Sequence, residues 1–109
     1  MIGLLHLLDI LNRRWEQMDL EEVNEILRFL GPRTVQPRHL RGSCFGRIQL
    51  TRFTALTCTF FSGRFRRRMS VEQHYALRHN YDLHYPHLPL VRIGDSEELW
   101  PIELLEIDD

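Results

Sequence analysis

The chain has 109 residues, of which 43% are hydrophobic and 27% are charged, a composition ordinary for one soluble globular domain. Its net charge is −1, and no apolar run approaches the roughly 20 residues that a membrane-spanning helix needs. Two cysteines, Cys44 and Cys58, are too few for a disulfide framework and lack metal-ligand spacing. We expect them to be reduced thiols in an intracellular protein, located in the cytoplasm with the nucleus as an alternative.

Two helices are predicted in residues 1–31. Apolar residues recur at helical spacing across residues 4–15. Because the apolar segment Met1–Ile10 lacks a basic start and a small-residue cleavage site, we interpret it as a buried helix and not as a signal peptide. Asp19 and Glu22 then predict a capping box for the second helix, which ends at Gly31.

The rest of the chain predicts short strands around one inserted helix. Residues 34–42 are polar and contain Pro37, so we interpret them as a connection. Ser70 and Gln73 predict another capping box, opening a helix that ends near His79. The predicted strands, rich in β-branched and aromatic residues or bounded by turn residues, span residues 47–51, 55–61, 88–93 and 100–107.

These elements predict a single α+β domain, a small OB-like β-barrel with two N-terminal helices and an inserted αβ unit. The leading helices occupy residues 1–31, and the first barrel strands occupy residues 40–61. The basic turn and the inserted helix occupy residues 62–81, and the closing strands occupy residues 82–109. We expect this domain to be monomeric.

The small net charge hides a strongly cationic middle of the chain. Between Arg28 and Arg92, twelve arginines stand against two acidic residues, Glu72 and Asp82, which gives this segment a formal charge of +10. All fourteen basic residues of the chain are arginine. Arginine binds phosphate through two parallel hydrogen bonds and stacks on flat rings, which suits nucleic acid. A base bias of the gene could explain the missing lysines but not the clustering of arginines.

Imidazole, phenol and guanidinium groups are predicted to share one region of the inserted helix. His74 lies four residues before Arg78, and Tyr75 lies four residues before His79, so each pair are neighbours on a helix. Their hydrogen-bond donors and cationic charge are what a phosphate group needs. The sequence therefore favours a phosphate-binding surface on this helix.

A basic run that precedes the inserted helix strengthens this hypothesis. Arginines there add a long-range attractive field, and neighbouring phenylalanines offer faces on which unstacked bases can rest. The alternative is a solvated basic loop beside core aromatic residues, and the pattern alone does not decide between the two. The residues are Arg64, Arg66, Arg67 and Arg68, with Phe60, Phe61 and Phe65 beside them.

A spaced motif covers the second half of the chain: Val71, His74, Tyr75, Arg78, His79, Leu83, Tyr85, Pro86, Leu88 and Pro89, followed by Pro101, Ile102, Glu103 and Leu104. In these residues the chain resembles the PAZ domain of the Argonaute family. That family carries the block V-x-x-Y-aromatic, a basic residue, Tyr and L-x-Y-P-x-L-P, and a closing P-[LI]-E-[LV] strand. A weaker similarity extends upstream through Leu40-Arg41-Gly42, Arg47-Ile48, Leu50-Thr51, Ala55 and Phe60.

The resemblance implies a domain that binds the 3′ end of small single-stranded RNA, or a duplex with a 3′ overhang, in RNA silencing and without catalysis. It places Phe60 where the family has an aromatic residue that packs on the terminal nucleotide. His74 and His79 stand where the family has two phosphate-binding tyrosines. Arg78 stands beside the second of these positions, and Tyr75 is expected to support the same edge.

The chain departs from the family pattern at several positions. Shifting the alignment by two residues would place Tyr81, instead of a histidine, at the second tyrosine position. Only four residues separate Gly42 from Arg47, where the family has a longer strand pair that supplies further contacts. Arg41, Phe45 and Arg47 are alternative candidates to replace those contacts, and Trp100 is a candidate beside the bound nucleotide.

Other functions were weighed against RNA binding. A Dicer-type PAZ domain would have the same biochemistry, whereas a degenerate PAZ-like fragment would be inactive or serve as a protein-interaction module. Four histidines at 74, 79, 84 and 87 lack the spacing of a zinc motif, and no nucleophile-and-base pair is recognisable. We therefore expect no metal, no cofactor and no catalysis, with RNA as the partner and other Argonaute modules as further partners within a longer protein.

Overall fold

A computed structural model describes residues 1–108, in which three α-helices and nine strands are found. The helices are α1 (Leu4–Leu11), α2 (Leu20–Leu30) and α3 (Val71–Arg78). The strands are β1 (Ile2–Gly3), β2 (Arg33–Pro37), β3 (Cys44–Gly46), β4 (Ile48–Thr54), β5 (Thr59–Ser62), β6 (Arg67–Ser70), β7 (Pro89–Ile93), β8 (Leu99–Pro101) and β9 (Leu105–Ile107). No helix in this part of the chain is both long enough and apolar enough to cross a membrane.

The α+β class predicted from the sequence is confirmed. The strands pair in three antiparallel sheets, in the orders β1-β9-β2-β3, β4-β7-β8 and β5-β6. Within residues 1–108 these sheets stay separate and do not close into one barrel. The β5–β6 hairpin and α3 form the inserted αβ unit.

The two leading helices are confirmed, but the first ends at Leu11, and Trp15 lies in a separate 3-10 turn at Trp15–Gln17. The cap of the second helix also differs from the prediction. Asp19 is the N-cap of α2, but its side chain accepts no hydrogen bond from the helix. Its main-chain oxygen accepts from the amides of Glu22 and Val23 instead, so the predicted capping box is wrong. At the other end, Gly31 has a φ of 75°, which suits a residue without a Cβ atom.

The connection predicted for residues 34–42 is wrong in its first part, because β2 lies there. The strand reads as polar because its side chains alternate, and only Val35 and Pro37 are buried. It pairs with β9 on one side and β3 on the other, with Val35 opposite both Cys44 and Ile107. The short interval between Gly42 and Arg47 contains only β3, because β2 lies before Leu40.

The single strand predicted for residues 100–107 is also wrong. A 3-10 turn at Ile102–Leu104 divides it into β8 and β9, which belong to different sheets. Nearly every residue of the segment is buried, so it lacks the alternation that would mark its two halves. The turn carries the chain from the β4-β7-β8 sheet to the β9 position between β1 and β2.

The core has two parts, and the inserted unit covers the second. The larger cluster packs α1 and α2 against the two longer sheets. The smaller cluster lies beneath α3 and consists of Ala55, Val71, Tyr75, Leu83, Leu90 and Leu104. Because Tyr75 is fixed in this cluster, the residues beside it on α3 are held at a defined place on the surface.

Candidate nucleic-acid interface

Helix α3, which carries most of the predicted site, begins and ends as its sequence dictates. Ser70 Oγ accepts a hydrogen bond from the Gln73 amide at 3.2 Å, and Gln73 Oε1 accepts from the Ser70 amide at 3.0 Å. This confirms the predicted capping box. At the other end, Asn80 has a φ of 50°, and the turn lets the Tyr81 amide donate to the Tyr75 carbonyl at 3.1 Å.

The structure brings four of the predicted site residues together. The His74 and His79 rings have centroids 5.4 Å apart, and both contact the Tyr75 ring, at 5.5 and 5.2 Å. The Phe60 ring of β5 meets His74 edge-on at 5.4 Å. Helical spacing on α3 therefore places two imidazole rings beside one phenol, and the strand register of β5 adds a phenyl ring beside His74.

A third imidazole, which the sequence analysis missed, completes the group. His39 follows β2, and its Nε2 atom shares a hydrogen bond of 3.3 Å with the Tyr75 hydroxyl, the donor depending on the histidine tautomer. Its ring lies 5.0 Å from that of His79 and 5.8 Å from that of Trp100. No local signal marked His39, because its position depends on the pairing of β2 with β9. We call His39, Phe60, His74, Tyr75 and His79 the ring cluster.

One polar atom of the ring cluster lacks a partner. His39 Nδ1 is buried and makes no hydrogen bond with any described residue. A buried polar atom without a partner costs free energy. An additional group at this position, such as a ligand oxygen or a water molecule, would recover that cost.

The protonation of the ring cluster is shifted toward neutral forms. Burial and the nearby His79 and His74 lower the pKa of His39, while burial and His79 lower that of His74. Burial, with a smaller contribution from Glu98, raises the pKa of Tyr75, so its hydroxyl keeps its proton. An anion bound among these rings would compensate the repulsion between imidazolium groups and raise both histidine pKa values again.

The remaining predicted residues do not lie in the ring cluster. Arg78 and Arg47 are exposed, and the Arg47 carbonyl accepts a hydrogen bond from Gly94 at 2.8 Å. Trp100 is only 5% exposed, so it supports His39 from below and offers no open face for a base. The four arginines of the predicted electrostatic set, Arg64, Arg66, Arg67 and Arg68, are exposed on and around the turn of the β5–β6 hairpin.

Tyr81, the alternative to His79, points to a different part of the molecule. Its hydroxyl donates to Glu103 at 3.1 Å, and the same carboxylate accepts from the amides of His84 and Tyr85 at 3.1 and 2.9 Å. Tyr81 therefore does not join the ring cluster, whereas His79 does. Glu103 lies beside a separate cleft of about 410 Å³ that borders α1.

No group of three histidine, cysteine or acidic side chains between residues 1 and 108 is arranged to hold a metal ion. The ring cluster instead offers imidazole nitrogens and one phenol around an aromatic surface. Such groups can donate hydrogen bonds to phosphate oxygens, and the Phe60 ring can pack on a base.

Comparisons with known proteins agree with this fold. No protein-family model matches the chain, and no curated protein matches it. Among solved structures, a Drosophila Argonaute 2 PAZ domain described for 3′-end recognition of nucleic acids is similar, with 27% identity and a TM-score of 0.60 over 84% of this chain and 79% of that one. A second structure, of the Drosophila Argonaute2 PAZ domain and its nucleic-acid binding, has 25% identity and a TM-score of 0.58 over 85% and 84% of the two chains.

Proposed function

Because the chain is a PAZ-like domain, we propose that it binds the 3′ end of small RNA without catalysing a reaction. The observation that carries this proposal is the convergence of three imidazoles, a phenol and a phenyl ring from three separate segments of the chain. The similar Drosophila domain is described for 3′-end recognition of nucleic acids, which supports the same class of ligand here.

The chemistry of the ring cluster suits the last nucleotide of a strand. Phe60, which is half-buried against His74, packs on the terminal base or sugar. His74 and His79 donate to oxygens of the last phosphodiester, more strongly when they are protonated. On the far side, His39 Nδ1 is buried without a partner among the described residues, and it can donate to a phosphate oxygen once the ring turns toward the ligand. A free 3′ end is required, because the ring cluster holds the last nucleotide of the RNA.

The biological setting is part of the same proposal. The ligand is a single-stranded small RNA or a duplex with a 3′ overhang, in RNA silencing in the cytoplasm. The domain works as a monomeric binding module, alongside other Argonaute modules where it is part of a longer chain. The electropositive segment between residues 28 and 92, with its formal charge of +10, attracts RNA of any sequence.

Fluorescence anisotropy with the full chain tests the 3′-end proposal. We expect RNA with a free 3′ end to bind at least about tenfold more tightly than the same RNA with a bulky 3′ block, or than a duplex with a recessed 3′ end, a difference of about 1.4 kcal/mol. Equal affinities for free and blocked ends would contradict end recognition and favour nonspecific binding to the arginines.

A matched pair of histidine variants tests the residues. The double substitution His74→Ala with His79→Ala removes two donors and should weaken binding of free-ended RNA by about tenfold or more. His84→Ala with His87→Ala also removes two histidines, both exposed and outside the ring cluster, and should leave affinity unchanged. Circular dichroism and thermal melts establish that both variants are folded. Equal effects of the two pairs would argue against the ring cluster as the binding site.

A further inference from the structure

The β5–β6 hairpin has two chemically different faces. Its register pairs Phe60 with Met69 and Phe61 with Arg68, and successive residues of a strand point to opposite sides. Phe60 and the buried Met69 face the domain, where Phe60 meets His74. Phe61 points the other way and is 63% exposed. The proposed function uses only the inner face.

The outer face combines an aromatic ring with a guanidinium group. Residues directly opposite each other on antiparallel strands have side chains close together on the same face, so Arg68 lies beside Phe61. The Arg68 Nη2 atom is 3.5 Å from Thr59 Oγ1, one pair further along the same face. The Arg68 side chain, which starts opposite Phe61, therefore extends along the outer face to Thr59.

The charge of the hairpin identifies the kind of ligand that this face fits. Residues 59–71 contain four arginines and no acidic residue. At the hairpin turn, the Arg64 guanidinium lies 6.0 Å from the centre of the Phe65 ring, so a second cation is placed beside an aromatic ring. Flat rings interleaved with arginines suit a single strand, because each unpaired base can stack and each phosphate can accept from a guanidinium.

We propose that the outer face of the β5–β6 hairpin binds the nucleotides 5′ of the last two, with a base on Phe61 and a phosphate on Arg68. This inference rests on the proposed function, because the last nucleotide occupies the inner face. The ribbon is only two strands wide, or about 5 Å between strand axes. A strand leaving the ring cluster can therefore turn around its edge and continue on the outer face.

RNA length separates the outer face from the ring cluster. Anisotropy competition compares a dinucleotide with an RNA of about ten nucleotides that has the same 3′ end. For the longer RNA, Phe61→Ala and Arg68→Ala should each weaken binding about tenfold, whereas affinity for the dinucleotide stays unchanged. Phe61→Trp should retain the affinity, because it keeps a ring for stacking. Arg68→Ala should also reduce the slope of log affinity against log salt by about 0.7, the loss of one phosphate contact.

Control variants and a blocked RNA make each result decisive. Phe29→Ala on α2, where the ring is 89% exposed, and Arg13→Ala remove the same side chains elsewhere and should change nothing. Equal losses for both RNAs, or no loss for the longer one, would overturn the outer-face proposal. The outer-face proposal would also be overturned if Phe61→Ala weakened binding of a polyglutamate peptide but not binding of RNA. A different result would overturn 3′-end recognition alone: the wild-type protein binds blocked and free RNA equally, while Phe61→Ala and Arg68→Ala still weaken binding of the longer RNA.

Discussion

His39 lies 36 residues before Tyr75 in the sequence, yet the two side chains share a hydrogen bond. The i to i+4 spacing of α3 predicted the neighbours of Tyr75 on the helix, because helical geometry is local. It could not predict His39, whose place depends on a strand with only two buried residues out of five. The site residues on one regular helix can therefore be predicted from the sequence. A site residue that follows a distant strand cannot.

Replacing His39 by glutamine tests its part in binding. His39→Gln keeps a polar side chain of similar length but removes the imidazole that contacts His79 and Tyr75. Because a hydrogen bond to a charged group contributes about 1.5–3 kcal/mol, affinity for free-ended RNA should fall about tenfold in anisotropy titrations. His6→Gln on the exposed side of α1 is the control and should bind as the wild type does. Unchanged affinity in a folded His39→Gln protein would remove this residue from the site.

Strand β4 shows how a helix holds a sheet in place beside the site. Asn24 of α2 makes two hydrogen bonds with the main chain of Leu50: its Oδ1 atom accepts from the Leu50 amide at 2.8 Å, and its Nδ2 atom donates to the Leu50 carbonyl at 3.0 Å. The Asn24 side chain thus makes hydrogen bonds that a neighbouring strand would otherwise make, on the edge of β4 that does not pair with β7. Polar Asn24 lies next to the apolar stripe of α2, and nothing in the sequence identified its partner.

The substitution Asn24→Asp keeps one of these two hydrogen bonds and removes the other. A carboxylate can still accept from the Leu50 amide but cannot donate to the carbonyl, which it meets with a negative charge. We expect the free energy of unfolding to fall by about 2–3 kcal/mol, measured by urea denaturation. Asn12→Asp is the matched control, because Asn12 Oδ1 only accepts, from the Arg14 amide at 2.9 Å, and that bond survives. Similar stability of both variants would mean that the Asn24 amide group does not hold β4.

Across the whole molecule, local signals predicted helices and the inserted unit, while the partition of strands among sheets escaped prediction. The capping residues Ser70 and Gln73 bond to each other's backbone, so their pattern is sufficient to place α3. The division of residues 100–107 between two sheets depends instead on tertiary packing of a segment that is buried at six of its eight positions. The single α+β domain could therefore be predicted, but three separate sheets could not.

The ring cluster also couples the stability of the whole domain to pH. The pKa values of His39 and His74 are lowered from 6.5 in the folded chain, so below that pH the unfolded chain binds more protons than the folded one. The free energy of unfolding of the RNA-free protein therefore decreases as the pH falls from about 7.5 to about 5.5. Bound phosphate has the opposite effect, because it favours the imidazolium forms and RNA binding then takes up protons.

These two effects predict that the rise in Tm caused by RNA grows as the pH falls. Thermal melts with and without a short free-ended RNA, between about pH 7.5 and about pH 5.5, measure this difference directly. Substituting His39 and His74 together by glutamine removes both groups with a lowered pKa and should flatten the difference. The His84→Gln, His87→Gln protein keeps the ring cluster and should follow the wild type. A rise in Tm that is independent of pH in the wild-type protein would show that RNA binding does not protonate the ring cluster, and the phosphate would then have to lie beside the arginines.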